Sequence, residues 1–173
     1  LIYSFFNIDI DARVLPQDVI WNNDETGYYT IDENSIVLVS TIGKKDKKIL
    51  SSEDLKNKKI ESFSFSQDKK NVLIFTNSVR VWRYNTRGNY WVYNLKTRQG
   101  KRLGSTLPDR SLMFAKFSPN GEKIAYVSKE IIPNSFRNSS TRANIYLETI
   151  EDNSIVKLTE SDEKGKIING TFD

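Results

Sequence analysis

The sequence predicts an all-β chain built from repeated four-stranded antiparallel units, and three observations carry that prediction. Ile60-Glu-Ser-Phe-Ser-Phe-Ser-Gln-Asp-Lys-Lys-Asn-Val-Leu-Ile-Phe75 lies over Leu112-Met-Phe-Ala-Lys-Phe-Ser-Pro-Asn-Gly-Glu-Lys-Ile-Ala-Tyr-Val127 at an offset of 52 positions. Each copy is an alternating apolar strand ending in Phe-Ser, a short polar turn and a second apolar strand. No stretch of helical period is long enough to dominate the chain. A tight hairpin recurring at this period is the sequence form of a β-propeller blade. The rival architecture, an unrelated β-sandwich, also repeats short strands but does not require a long-range match at one offset.

The remaining elements follow in order. Val19-Ile-Trp21, a turn at Asn22-Asn-Asp-Glu-Thr-Gly27, Tyr28-Tyr-Thr-Ile31, Asn34-Ser-Ile-Val-Leu-Val39 and Lys48-Ile-Leu50 make a looser first unit over residues 19–50. In the second unit, 60–103, the hairpin is followed by Tyr90-Trp-Val-Tyr-Asn-Leu95 and Lys101-Arg-Leu103 across the turn Lys96-Thr-Arg-Gln-Gly100. In the third, 112–158, it is followed by Ala143-Asn-Ile-Tyr-Leu147 and Ile155-Val-Lys-Leu158 across Glu151-Asp-Asn153. Ile167-Ile168 opens a further unit. Pro119 presets φ for the turn of the third unit and Asn120-Gly121 tolerates positive φ, whereas Gln67-Asp-Lys-Lys70 reads as a more polar and less demanding loop. Alternation sends Phe63 and Phe65 to one sheet face and Ser62 and Ser64 to the other.

The expected fold is therefore a β-propeller fragment spanning residues 1–173, with about three four-stranded antiparallel blades and the start of a fourth. Three blades cannot close a ring. The chain consequently reads as part of a larger protein with adhesive sheet edges, and its opening Leu1-Ile-Tyr-Ser-Phe-Phe6 reads as lacking something upstream.

Composition removes several functions. The chain has 26 basic and 22 acidic residues, a net charge of +4, no histidine and no cysteine. A Ser-His-Asp triad, a Cys-His pair, a disulfide and a zinc site built on His or Cys are thereby excluded within these residues. The lysines of Lys44-Lys-Asp-Lys-Lys48 and Lys56-Asn-Lys-Lys59 read as solvated turns rather than a nucleic-acid footprint, so no nucleic-acid partner is expected. Ser-x-x-Lys pairs at Ser66/Lys69, Ser154/Lys157 and Ser161/Lys164 recur no more often than chance allows. The acids Asp24-Glu25, Glu151-Asp152 and Asp162-Glu163 are turn residues, and Asp9 with Asp11 makes a poor metal site. No cofactor is expected, no run is long enough for a membrane helix, and the chain alone is expected to be inactive.

One segment departs from the blade pattern. After Val72-Leu-Ile-Phe75 the chain runs through Asn77-Ser-Val-Arg-Val-Trp-Arg-Tyr-Asn-Thr-Arg87 before Gly88-Asn89 restarts it, which reads as a strand extension. It carries Arg80, Arg83 and Arg87 beside Trp82 and Tyr84. An arginine flanked by aromatics is an anchor for a carboxylate or carbonyl, because its planar fork donates in pairs and stacks well. The plainer reading is a loop arginine paired with a neighbouring acid.

Val79-Arg-Val-Trp-Arg-Tyr-Asn85, Tyr90-Trp-Val-Tyr-Asn-Leu-Lys96 and Phe117-Ser-Pro-Asn-Gly-Glu-Lys-Ile-Ala-Tyr-Val127 resemble the N-terminal propeller of the dipeptidyl peptidase IV family of prolyl-oligopeptidase-type serine peptidases. The likeness runs from about Val19 to Asp173, and Asn169-Gly-Thr-Phe-Asp173 resembles the stretch leading into the family's Trp-Val-Tyr-Glu-Glu motif. The resemblance implies that Arg83 helps hold the backbone carbonyl of a substrate's N-terminal dipeptide, with Trp82 and Tyr84 in support. It implies no catalytic residue in this chain, the triad residing in a C-terminal α/β-hydrolase domain. It further implies peptide substrates with Pro or Ala second, a homodimeric parent, and a periplasmic, secreted or membrane-anchored location. Tyr84-Asn85 departs from the family's usual His-Ser after the arginine. Asn138-Ser-Ser140 and Asn169-Gly-Thr171 match the N-glycosylation pattern, and Ile131-Ile-Pro-Asn-Ser-Phe-Arg-Asn-Ser-Ser-Thr141 reads as a surface insertion. A non-enzymatic propeller scaffold is the alternative. Its WD-repeat version is disfavoured, because none of Trp21, Trp82 and Trp91 precedes an Asp.

Overall fold

Twelve β-strands and one short 3-10 turn account for the regular structure of the described residues. The computed structural model describes residues 19–81, 84–131 and 141–160. The chain divides into two compact units between Ser51 and Ser52. The first holds one four-stranded antiparallel sheet in the order β1-β2-β3-β4: β1 Ile20–Trp21, β2 Gly27–Asp32, β3 Ser35–Ser40 and β4 Lys47–Ser51. β2 and β3 meet through Glu33-Asn34, both at positive φ (42° and 59°), as a two-residue hairpin that follows the strand twist requires. Tyr29, Ile36, Val37 and Leu50 are its buried apolar residues.

The second unit holds two such sheets. One comprises β5 Ser62–Phe65, β6 Asn71–Val81, β7 Tyr84–Asn94 and β8 Gln99–Arg102; the other comprises β9 Leu112–Phe117, β10 Lys123–Ile131, β11 Thr141–Thr149 and β12 Ile155–Lys157. Every pairing within them is antiparallel, and a single backbone pair, Gly88 with Leu112, links them. A shared core fills the space between: Leu73, Val92 and Leu103 from one sheet and its edge pack with Leu112, Ala115, Ile124, Tyr126 and Tyr146. The fold is all-β, in antiparallel blades of the propeller type, as the sequence predicts. The residues after 160, including Ile167-Ile168, lie outside the described residues, as do Leu1-Ile-Tyr-Ser-Phe-Phe6, Asp9, Asp11, Asn138 and Asn169. Of the insertion expected over Ile131–Thr141, the two end residues pair with each other as strand ends of β10 and β11, and 132–140 lie outside the described residues.

The same turn opens all three sheets. Ser66 N–H donates to Asn71 O at 2.9 Å, Lys69 N–H to Ser66 O at 2.9 Å, and Lys70 N–H to the Asp68 carboxylate at 3.1 Å. Ser118, Asn120, Gly121, Glu122 and Lys123 repeat these bonds, and so do Asn22, Asp24, Glu25, Thr26 and Gly27. A short Asp or Asn side chain that captures the amide two residues on mimics a backbone turn, which is why these residues sit there. The third position is left-handed in each copy: Glu25 at φ 57°, Lys69 at 53° and Gly121 at 72°. The loop at 67–70 is therefore as demanding as its Pro-Asn-Gly counterpart, and a lysine bears the conformation that glycine takes without strain.

The Ser66 hydroxyl, 2% exposed, donates to Asp68 at 2.7 Å, and Ser154 donates likewise to Asp152 at 2.8 Å. Both serines of these Ser-x-x-Lys pairs are thus turn residues; Ser161 and Lys164 lie outside the described residues. The Asp68 carboxyl is held down at about 2, first by the Ser66 hydroxyl and then by the Lys70 amide. A depressed carboxyl contributes stability above its unfolded value of about 3.9, and that contribution is lost as pH falls through the folded value. A carboxyl NMR titration is expected to place the Asp68 midpoint near pH 2, and Ser66→Ala to move it upward. An ordinary midpoint in the unmodified chain would contradict this turn.

Candidate functional site

β6 and β7 are each 11 residues long and outrun their partners β5 and β8, so their far halves form a two-stranded arm. The pairs Val79–Arg87, Arg80–Asn85 and Val81–Tyr84 continue the ladder to its end. This corrects the sequence expectation of a single strand extension ending at Arg87. β7 starts at Tyr84, and Gly88-Asn89 lie within it rather than restarting a pattern. Trp82 and Arg83, between the paired ends, lie outside the described residues. Of Tyr84 the structure gives the backbone pairing alone. Arg80 is exposed and Arg87 half-buried, on opposite strands of the arm.

The base of the arm is built by residues that the sequence did not single out. The ladder breaks at Asn77-Ser78, where Asn77 takes a left-handed φ of 59°. Such a bulge leaves backbone groups without ladder partners, and two side chains take them up. The Arg110 guanidinium donates from Nε to Asn77 O (3.2 Å) and from Nη2 to Ser78 O (3.3 Å). The Glu61 carboxylate accepts Ser78 N–H at 2.8 Å. Asn89 ties the opposite strand down: its Nδ2 donates to Asp109 at 3.0 Å and its Oδ1 accepts the Arg110 amide at 2.9 Å. Arg102 bonds the same Asp109 carboxylate at 3.0 Å.

Gly88 is required by close approach. A Cβ there would stand 2.6 Å from the Phe75 ring and 2.8 Å from Thr76 O. The Phe75 ring meets Tyr90 at 4.7 Å between centroids. Burial pushes the Tyr90 phenol upward, and hydrogen bonds to the backbone of Ala115 and Phe114 oppose it. Phe114 is itself at φ 55° in a bulge of β9, where Phe114 and Ala115 together face Tyr126. A bulky aromatic in that region is strained and persists only when its surroundings fix it. The base of the arm is thus clamped by hydrogen bonds on one side and ring packing on the other. No sequence signal marks Arg110 or Glu61, because each acts on backbone groups freed by a bulge.

A family model described as the dipeptidyl peptidase IV (DPP IV) N-terminal region matches residues 66–173, which include the whole arm. The chain belongs to this family. Among relatives, human prolyl endopeptidase FAP is 27% identical over 153 residues, covering 88% of this chain and 18% of that protein. Dipeptidyl aminopeptidase B of Saccharomyces cerevisiae is 30% identical over 117 residues, covering 68% of this chain and 12% of that one. The chain spans less than a fifth of the length of these relatives. The crystal structure of Porphyromonas gingivalis dipeptidyl peptidase 4 superimposes with a TM-score of 0.65 over 83% of this chain and 19% of that one, at 19% identity, and so shares its fold. The DPP IV N-terminal match therefore covers the arm, Arg110 and Asn89 at its base and the hairpin of the last sheet, while Glu61 and the first unit lie upstream of it.

Proposed function

We propose that this chain is the N-terminal propeller portion of a serine exopeptidase that releases dipeptides from peptide N-termini, with Pro or Ala in the second position. In this reading it limits access to the catalytic centre and holds the N-terminal end of the substrate. Arg83 is the residue that does the holding. Its guanidinium donates to the backbone carbonyl of the N-terminal dipeptide, a charge-assisted bond stronger than a neutral one. Trp82 and Tyr84, its neighbours in sequence, are the residues assigned to support it. The clamp of Arg110, Glu61 and Asn89 at the base fixes where the end of the arm can reach. Nucleophile, base and acid come from a C-terminal α/β-hydrolase domain of the same parent, so this chain alone performs no hydrolysis. The parent acts as a homodimer in the periplasm, in secretion or as a membrane-anchored ectodomain.

The observation that carries this reading is the family match over 66–173, which includes the arm and its arginine. Its test is the full-length protein on Ala-Pro-p-nitroanilide and the N-acetylated counterpart. Release is expected from the free amine alone, because the site grips a substrate's N-terminal end. Equal turnover of the blocked substrate would exclude exopeptidase action. Failure to cleave either would leave a propeller that binds peptides without chemistry.

A further inference from the structure

Arg110, in the loop between β8 and β9, bonds both strands of the arm at the level where the arm leaves its sheet. Its guanidinium donates to the Asn77 and Ser78 carbonyls of β6 at 3.2 and 3.3 Å, and its own amide donates to the Asn89 side chain of β7 at 2.9 Å. Glu61, by contrast, takes the Ser78 amide of β6 alone. Arg110 itself sits at a left-handed φ of 56°, as Asn77 does at 59°. A non-glycine residue in that region costs energy and persists where its surroundings hold it.

Those surroundings belong to strands outside the arm. Asp109 pairs with Arg102 of β8 at 3.0 Å. On the other side of Arg110, the Ser111 and Ser128 hydroxyls share a hydrogen bond of 2.9 Å, and the Lys129 amide donates to Ser111 O at 3.2 Å, which fastens the loop to β10. A continuous path thus runs from β8 and β10 through Arg110 to both strands of the arm. Beyond Phe75 and Trp91 neither β5 nor β8 flanks the arm, and Gly88–Leu112 is its one ladder pair with β9. The direction of the arm is therefore set at its base. From Asn77 to Val81 the strand rises about 14 Å, so a tilt of about 5° at the base moves the end by about 1 Å. A misplacement of that size can cost a reaction about a hundredfold in rate.

We propose that Arg110 is a positioning residue for Arg83: it sets the angle at which the arm stands and so the place of its end. The proposal rests on the peptidase reading, and adds to it a residue that acts through the backbone of the arm rather than on substrate. The loop that carries Arg110 makes the neighbouring sheet the reference against which the grip is aligned.

The test is a double-mutant cycle in the full-length protein, read as kcat/KM for Ala-Pro-p-nitroanilide. Arg110→Ala is expected to lower it by about 10- to 100-fold. Arg110→Ala with Arg83→Ala should be no worse than Arg83→Ala alone, because an end that no longer grips loses nothing by moving. Arg110→Lys offers an ammonium without the planar fork and should recover part of the loss. Hydrogen exchange supplies a readout apart from activity: in Arg110→Ala the Val79–Arg87 and Arg80–Asn85 pairs should exchange faster, while the Ala125–Leu147 ladder keeps its rate. Full activity in Arg110→Ala beside a loss in Arg83→Ala would overturn the proposal alone. So would losses that multiply in the double variant, or exchange that rises equally in both ladders, since either marks a general structural role. An Arg83→Ala variant with unchanged kinetics, or a parent that cleaves nothing, would remove the grip itself and the positioning role with it.

Discussion

Glu148→Ala is expected to cost the chain about 2–6 kcal/mol of stability, because it leaves two buried donors unsatisfied at about 1–3 kcal/mol each. Glu148 is 2% exposed on β11. Its carboxylate accepts the Gly104 N–H at 2.9 Å and the Tyr126 O–H at 3.0 Å. Gly104 lies just past the end of β8, so this one side chain joins two sheets across their shared core. Burial, then the Glu148 charge, pushes the Tyr126 phenol far upward, which keeps its proton in place to donate. Tyr126 also stacks on Tyr146 at 5.9 Å. Lys101 stands close enough to feel the carboxylate, yet its amine is pushed down overall by burial, and it bonds Ile150 O at 2.7 Å and the Asn153 side chain.

Truncation to alanine strands a buried amide and a buried phenol at once, and the loss compares with the whole stability of an ordinary domain, about 5–15 kcal/mol. Tyr126→Phe removes one hydrogen bond to the carboxylate and should cost about 1.5–3 kcal/mol. Glu148→Gln keeps a carbonyl acceptor and should fall between the two. Urea unfolding checks the order. If Glu148→Ala proved no more harmful than Tyr126→Phe, the carboxylate would not be the link between the sheets.

That glutamate also shows where the sequence stopped being legible. Strand alternation places Glu148 on the face of Tyr146, directly opposite Ile124 in the ladder. A hydrophobic pattern ends at the first charged residue, so the strand reads as finished at Leu147, although pairing continues to Thr149. What keeps Glu148 inside is a backbone amide 44 residues away, which no local pattern contains. The turns behave differently. Asp24, Asp68 and Asn120 advertise their amide captures in sequence, and all three copies form. Lys69 and Glu25 do not advertise their left-handed backbones, because residue type alone gives no reason for them. In the arm, the unusual composition of 77–87 was visible, but its hairpin was not. Gly88 looked like punctuation, whereas its reason is the Phe75 ring beneath it.

The proposed grip of the arm on substrate has the largest expected effect on activity. A charge-assisted hydrogen bond is worth about 1.5–3 kcal/mol, so its removal divides kcat/KM by between about 10 and 150. Arg83→Lys keeps the charge but loses the planar fork, and should recover part of that loss. Arg98→Ala is the control. Arg98 pairs with Asp54 at 2.9 Å and has no assigned role in binding. The decisive measurement is kcat/KM of the full-length enzyme for a dipeptide-releasing substrate, in Arg83→Ala against Arg98→Ala and the unmodified protein. A loss of that size is expected in Arg83→Ala alone, with the folded state intact by circular dichroism. Unchanged kinetics in Arg83→Ala would contradict it.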